Sequence, residues 1–155
     1  MSVAEPRNDR AFDSPTLLYL VGRVDRVVRR AMNDALADHG VSLNQYTTLS
    51  VLESLSGLSN AQLARRSLVS PQSMNEVLLS LEERGLVRRR AHPEHGRILQ
   101  AQVTAKGRRL LTACDAEVEA LEERMTSGLS SQEQRSLRRA LVECVQSLDG
   151  GLVGR

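Results

Sequence analysis

Residues 59–90, SNAQLARRSLVSPQSMNEVLLSLEERGLVRRR, decide the fold of this chain of 155 residues. Ser59, followed three residues later by Gln62, has the spacing of a capping box and predicts the start of a short helix. Ser70 followed by Pro71 predicts the start of a second helix, because Ser caps free backbone amides and Pro suits the first helical position. The stretch therefore predicts two consecutive short helices that lead into an arginine-rich segment.

Apolar periodicity extends this pattern in both directions along the chain. Residues at three- and four-residue steps from Leu17 to Leu36 predict a long helix that is capped by Ser14-Pro15 and ends near Gly40. Three more helices are expected, with caps at Ser42, at Thr104, and at Ser130 or Ser131.

A change of period after Gly85 predicts a β-hairpin. Residues 86–90 and 98–103 are short and strand-like, and the residues between them, His-Pro-Glu-His-Gly at 92–96, are typical of a turn. The expected fold class is mainly α, with one small β-hairpin.

The two short helices, joined at residues 67–69, have the pattern of a helix-turn-helix. In that motif the N-terminal turn of the second helix meets base edges in the major groove. Gln and Asn can pair with adenine, Ser can reach several bases, and Glu can accept from cytosine. A capped surface helix with a solvated polar face is the alternative reading. The candidate DNA contacts in the two helices are Ser59, Asn60, Ser70, Pro71, Gln72, Ser73, Asn75 and Glu76.

Arginines flank the predicted hairpin. Arg88, Arg89 and Arg90 precede its turn, and Arg97 follows it. Arg is attracted to the negative potential of a narrow minor groove, so these four residues are further candidate DNA contacts. A solvent-exposed charged hairpin is the alternative, but its position directly after a polar capped helix favours nucleic-acid binding.

Composition and motifs limit the other classes of function. A net charge of +2 does not by itself indicate nucleic-acid binding. We find no nucleophile, phosphate-loop or dinucleotide motif and no metal-ligand cluster, so neither an enzyme nor a cofactor is expected. Cys114 and Cys144 lie on apolar helical stripes and are expected to be buried and reduced. The sequence shows no secretory signal and no membrane span, which indicates a cytoplasmic protein.

Four segments together resemble the multiple-antibiotic-resistance regulator (MarR) family. They are residues 59–64 (SNAQLA), 70–75 (SPQSMN), 81–89 (LEERGLVRR) and 103–107 (VTAKG), and the resemblance extends over about residues 15–148. One departure lies in the hairpin turn, where His95-Gly96-Arg97 replaces the family's usual Asp-Arg-Arg. The resemblance implies a triangular winged-helix homodimer whose N- and C-terminal helices interlock.

The implied function is a homodimeric, sequence-specific transcriptional regulator, usually a repressor released by a small ligand. Its partners would be a pseudo-palindromic DNA duplex, a second copy of the chain and a small-molecule effector. The implied domains are a flexible arm at 1–13, a helical dimerisation region at 14–40 and 104–150, and a winged helix-turn-helix at 41–103.

The resemblance places an effector between the DNA-binding lobe and the dimer helices. Candidates there are Arg23, His39, Tyr46 and Leu49, and interface packing is the alternative role for each. A cysteine-based redox regulator and a winged-helix interaction module without DNA binding remain alternative functions. The first lacks a cysteine near the start of the first helix, and the histidines do not form a zinc-ligand pattern.

Overall fold

A computed structural model describes residues 15–55, 57–67, 69–91, 96 and 99–148. These residues form six helices and two strands, in the following order: α1 (Leu17–Ala37), α2 (Leu43–Ser54), α3 (Asn60–Arg66), α4 (Pro71–Glu83), β1 (Val87–Ala91), β2 (Leu99–Val103), α5 (Ala105–Thr126) and α6 (Ser131–Ser147). The predicted fold class is confirmed. No helix among the described residues is long and apolar enough to cross a membrane.

Each helix begins at a Ser or Thr whose hydroxyl oxygen accepts a hydrogen bond from the backbone amide three residues later. The expected caps of the later helices are confirmed, at Ser42, Ser59, Ser70, Thr104 and Ser130. The expected cap of α1 at Ser14-Pro15 is wrong. Thr16 has an extended backbone and accepts from Tyr19 N at 3.2 Å, so Pro15 precedes the helix.

The two strands form an antiparallel hairpin, which we call the wing. Val87 pairs with Val103, and Ala91 pairs with Leu99. A single additional bridge joins Ser59 to Gln100, so the wing is attached to the start of α3. The predicted turn residues His92 and His95, and with them Arg97, lie outside the described residues.

The main hydrophobic core lies where α2, α3, α4 and the wing meet. Leu49, Leu63, Met74 and Leu81 are buried at its centre, together with Leu86 at the start of the wing. A smaller cluster of Leu36, Val41 and Cys114 joins the end of α1 to α5. The helix-turn-helix therefore shares one core with the wing, and a second, smaller cluster packs α5 against the end of α1.

The N-terminal part of α1 and all of α6 leave apolar side chains uncovered. Helix α6 has no buried residue. The expected burial of Cys144 is therefore wrong for the single chain, since nothing in the described residues packs over that side of α6. The large exposed apolar residues of the two helices are Leu17, Leu18, Tyr19, Leu20, Val21, Val24, Val27, Leu137, Leu141, Val145 and Leu148.

Candidate nucleic-acid interface and ligand cavity

The first turn of α4 presents polar side chains to solvent. Ser70 Oγ accepts from Ser73 N at 3.0 Å and donates to Ser73 Oγ at 2.9 Å, which fixes the start of the helix. Gln72, Ser73 and Glu76 are exposed, while Met74 is buried on the opposite face. The free amides at this helix start favour a nearby phosphate. The start of α4 is therefore a polar, exposed surface beside free helix amides.

Asn60 connects the two helices of the helix-turn-helix. Its Nδ2 donates to the carbonyl oxygen of Pro71 at 3.2 Å, and its Oδ1 is buried without a hydrogen-bond partner. Ser59 caps α3 and shares a capping box with Gln62. Asn60 therefore ties the start of α3 to the start of α4, while Ser59 stabilises the start of α3.

The three arginines of β1 have different surroundings. The Nε of Arg89 lies 2.8 Å from Glu82 Oε2, and its Nη1 donates to Asn75 Oδ1 at 3.2 Å. Its side chain is only 17% exposed. Arg88 is exposed and donates from Nη2 to Gln102 Oε1 at 3.3 Å, and Arg90 is also exposed. Arg88 and Arg90 are therefore placed to meet a partner, whereas Arg89 holds Asn75 in place.

A contact that the sequence did not suggest holds the wing. Gln100 Nε2 donates to the carbonyl oxygen of Gly57 at 2.6 Å, and β2 is thereby tied to the turn before α3. The residues are 43 positions apart, so no local pattern identifies the pair.

A cavity of about 250 Å³ lies between α1, α2 and the helix-turn-helix. Its polar wall includes Ser67, whose Oγ is buried and has no hydrogen-bond partner. At another part of the wall, Arg29 Nε lies 2.8 Å from Asp25 Oδ1. The residues that line it are Asp25, Val28, Arg29, Met32, Leu43, Asn44, Thr47, Thr48, Ser67, Val69, Ser73, Met74 and Val77.

None of the four residues suggested for ligand binding lines this cavity, and the structure does not bring the four together. Leu49 is buried in the core, His39 is half-buried in the turn after α1, and Arg23 is exposed on α1. Tyr46 OH donates to Asp115 Oδ1 at 2.9 Å. Burial and this hydrogen bond raise the pKa of Tyr46 to about 12. Sequence reasoning missed Thr47 and Thr48, which follow Tyr46 on α2 and line the cavity. Their polar side chains on a helix that faces α1 were the available sequence signal.

The cysteines and histidines within the described part of the chain belong to no group of residues that could hold a metal ion. Cys114 is buried in the cluster between α1 and α5. Burial, together with the carboxylate of Asp115, raises the pKa of its thiol, which disfavours the reactive thiolate.

A capped reading helix and an attached hairpin define a winged helix-turn-helix protein. The family model described as MarR family matches residues 39–98. The HTH-type transcriptional repressor Rv2887 of Mycobacterium tuberculosis is 40% identical over 129 residues, which is 83% of this chain and 93% of the relative. This chain therefore belongs to the MarR family and is a DNA-binding transcriptional regulator.

Solved structures agree with this assignment. Rv2887 in complex with DNA has a TM-score of 0.71 and 37% identity, covering 84% of this chain and 98% of that one. Rv2887 with salicylic acid has a TM-score of 0.70 and 39% identity, covering 85% and 98%. CouR of Rhodococcus jostii bound to p-coumaroyl-CoA has a TM-score of 0.77 and 28% identity, covering 86% and 93%.

Proposed function

We propose that this protein is a homodimeric repressor that leaves its operator when a small aromatic acid occupies the cavity between α1, α2 and α4. The observation that carries the proposal is the position of that cavity. Its wall includes Ser73 and Met74 in the first turn of the reading helix. A ligand bound there touches the element that reads DNA. The protein acts as a cytoplasmic regulator rather than as an enzyme.

DNA reading is assigned to the first turn of α4. Gln72, Ser73 and Glu76 meet base edges, with Asn75 oriented by Arg89. Arg88 and Arg90 of the wing meet phosphates, and so does Arg97, which lies outside the described residues. Ser59 and Asn60 support the start of α3, and Ser70 and Pro71 bring the free amides of α4 to the backbone.

Homodimerisation is assigned to helices α1, α5 and α6, as in the proposed division into a dimerisation region and a DNA-binding lobe. Their exposed apolar side chains form a surface that a second copy would remove from water. Two reading helices in one dimer would then meet half-sites about 34–36 Å apart on a pseudo-palindrome.

The cavity favours a single-ring ligand that carries an acid. A volume of about 250 Å³ is small for a ligand pocket and suits one ring. Asp25 engages only Nε of Arg29, which leaves the terminal guanidinium nitrogens for a carboxylate. Ser67 Oγ supplies an unused polar group deep in the wall. Salicylic acid and p-aminosalicylic acid, which occur in Rv2887 structures, have this chemistry.

The test is the release of DNA by salicylate, comparing the wild type with Ser67→Ala. A labelled duplex from the promoter of the protein's own gene is followed by fluorescence anisotropy during titration with sodium salicylate. We expect Ser67→Ala to keep its affinity for DNA but to need about tenfold more salicylate, because a hydrogen bond to the ligand is lost. The free variant should be as stable as the wild type or more stable, because an unpartnered buried hydroxyl is removed.

Ser136→Ala, at an exposed position on α6, is the matched control and should respond like the wild type. The effector assignment fails if neither salicylate nor p-aminosalicylate releases DNA, or if Ser67→Ala is released as easily as the wild type. If the protein did not raise the anisotropy of the duplex even at low salt, where electrostatic binding is strongest, an interaction module without DNA binding would be favoured instead. Release by peroxide in place of salicylate would favour the redox alternative.

A further inference from the structure

Arg84 joins the end of the reading helix α4 to the end of α1. It is half-buried, and its Nη1 donates to the carbonyl oxygen of Gly40 at 2.9 Å, in the turn that follows α1. The same Nη1 donates to Oε1 of Gln45 at 3.4 Å, in the first turn of α2. Arg84 and Gly40 are 44 residues apart in sequence, so the contact is a tertiary one. We call Arg84 with its two acceptors, on Gly40 and Gln45, the Arg84 anchor.

Two further hydrogen bonds hold the same end of α4. Gln45 Nε2 donates to Ser80 Oγ at 2.8 Å, one turn before Arg84. Lys106 Nζ, at the start of α5, donates to the carbonyl oxygen of Arg84 at 2.7 Å. A cationic donor beside the last carbonyls of a helix is also favoured by the helix dipole. The C-terminal end of α4 is therefore fixed against α2, against α5 and against the turn after α1.

The first turn of α4 has fewer such attachments among the described residues. Asn60 Nδ2 donates to the carbonyl oxygen of Pro71 at 3.2 Å, and Thr48 Oγ1 donates at 3.8 Å to the sulfur of Met74, a weak acceptor. Asn60 Oδ1 and, in the turn that leads into α4, Ser67 Oγ are buried without a hydrogen-bond partner. Since a buried polar group without a partner is costly, neither atom stabilises the present position of the helix start.

We propose that Arg84 is a positioning residue for DNA reading, because it fixes the C-terminal end of α4 and thereby sets the direction in which the first turn points. When one end of a helix is held against three neighbours, the position of its other end follows. Ser73 lies roughly 16 Å along α4 from Arg84, at a rise of about 1.5 Å per residue. A small rotation at the anchor is therefore magnified at the side chains that are assigned to base contact.

The anchor also gives an effector a way to move the first turn, a step that rests on the proposed function. Val28 and Met32 of α1 line the effector cavity, and so do Ser73 and Val77 of α4. The anchor joins these two helices beyond the cavity, at their C-terminal ends. A ligand that separates α1 from α4 therefore displaces the Ser73 end of α4 and leaves the Arg84 end in place.

Operator preference without an effector tests the anchor. Fluorescence anisotropy measures the affinity of the dimer for a duplex from the promoter of the protein's own gene and for a duplex of unrelated sequence. We expect Arg84→Gln to lower the ratio of these affinities about tenfold, because a misdirected first turn loses a base contact. Arg84→Lys, whose ammonium replaces the donor to the carbonyl oxygen of Gly40, should recover most of the preference.

Release by salicylate is the second readout. In Arg84→Gln, the factor by which saturating salicylate weakens operator binding should be several times smaller than in the wild type, because α4 no longer turns about a fixed end. Ser80→Ala removes the hydrogen bond from Gln45 at the same end of α4. It should change both readouts in the same direction but by less.

The control is Arg108→Gln, which has the same change of charge. Arg108 Nε lies 2.9 Å from Glu53 Oε1 and joins α5 to α2 outside the anchor. This variant should keep the operator preference and the salicylate response of the wild type, and circular dichroism should show both glutamine variants folded.

The proposal is overturned if Arg84→Gln keeps the operator preference of the wild type, or if it and Arg108→Gln have the same preference, which would make Arg84 a purely structural contact. If Arg84→Gln does not fold, Ser80→Ala decides by the same comparison. If the wild type prefers its operator but does not respond to salicylate, the effector assignment fails, and the operator preference of Arg84→Gln still decides the role of the anchor.

Discussion

Gly107 is the residue at which two parts of the chain come closest. A Cβ at this position in α5 would lie 2.2 Å from Leu86 O and 2.8 Å from Val103 Cγ1. The start of α5 can pass beside the wing only because no side chain stands between them. At this point the backbone of α5 therefore packs directly against Leu86 and Val103.

Replacing Gly107 with Ala should destabilise the protein by about 1–3 kcal/mol, because backbone and core must move to admit the methyl group. Thermal unfolding followed by circular dichroism measures the change. Gly128→Ala is the control, since a Cβ there has nothing within 4 Å. Equal melting temperatures for the two variants would contradict the close approach.

The Tyr46–Asp115 hydrogen bond joins α2 to α5 and has a pH signature. The pKa of Tyr46 is raised from 10.0 to about 12, so the folded state keeps a proton that the unfolded state loses. The stability that this group contributes is therefore complete below pH 10 and falls as the pH rises toward 12. At neutral pH, Tyr46→Phe should cost about 1 kcal/mol for the lost hydrogen bond.

Urea unfolding between pH 8 and pH 12 (roughly the titration range of tyrosine) checks this prediction. The alkaline loss of stability should be smaller in Tyr46→Phe than in the wild type. Tyr19→Phe, at an exposed position, should follow the wild type. If all three proteins lost stability in parallel, Tyr46 would not be the titrating group.

At the scale of elements, the helix starts were predictable from sequence because each cap is a contact across three residues. Ser42, Ser59 and Ser70 needed no tertiary information. The partner of Tyr46 could not be predicted from local sequence, because Asp115 lies 69 residues away along the chain. The sequence could predict that α2 faces its neighbours, but not which of its side chains faces which cavity.

The attachment of the wing rests on the side chain of Gln100. Gln100→Ala removes its 2.6 Å hydrogen bond to Gly57 and should loosen β2 at a cost of about 1 kcal/mol. We expect faster amide hydrogen exchange in the wing and weaker operator binding. Gln102→Ala on the same strand loses only a contact with the exposed Arg88 and is the control. Unchanged exchange in Gln100→Ala would show that strand pairing alone holds the wing.

At the scale of the whole molecule, the single chain leaves an apolar surface on α6 uncovered. Leu141 and Val145 lie one turn apart on α6 and are 47% and 38% exposed, although both are apolar. The sequence predicted the apolar stripe correctly, and it predicted burial for Cys144 because a stripe usually faces a core. In this chain the apolar stripe of α6 faces away from the core, and the proposed second copy would bury it.

The double variant Leu141→Glu, Val145→Glu should therefore be monomeric and should bind its operator much more weakly. Charges in a buried apolar interface are costly, and one reading helix alone contacts a single half-site. Size-exclusion chromatography with light scattering gives the mass. Leu79→Glu, at an exposed apolar position on α4, should remain dimeric. A dimeric double variant would exclude α6 from the interface.

The link from Arg89 to Asn75 has a consequence for anyone who redesigns the sequence preference of this regulator. The side-chain Oδ1 of Asn75 accepts from Arg89, which also binds Glu82, so a change at one of these three residues disturbs the other two. A library that randomised the whole first turn of α4 would therefore lose many members to misplaced wings. Diversity is better confined to Gln72 and Glu76, which are exposed and take no part in these hydrogen bonds.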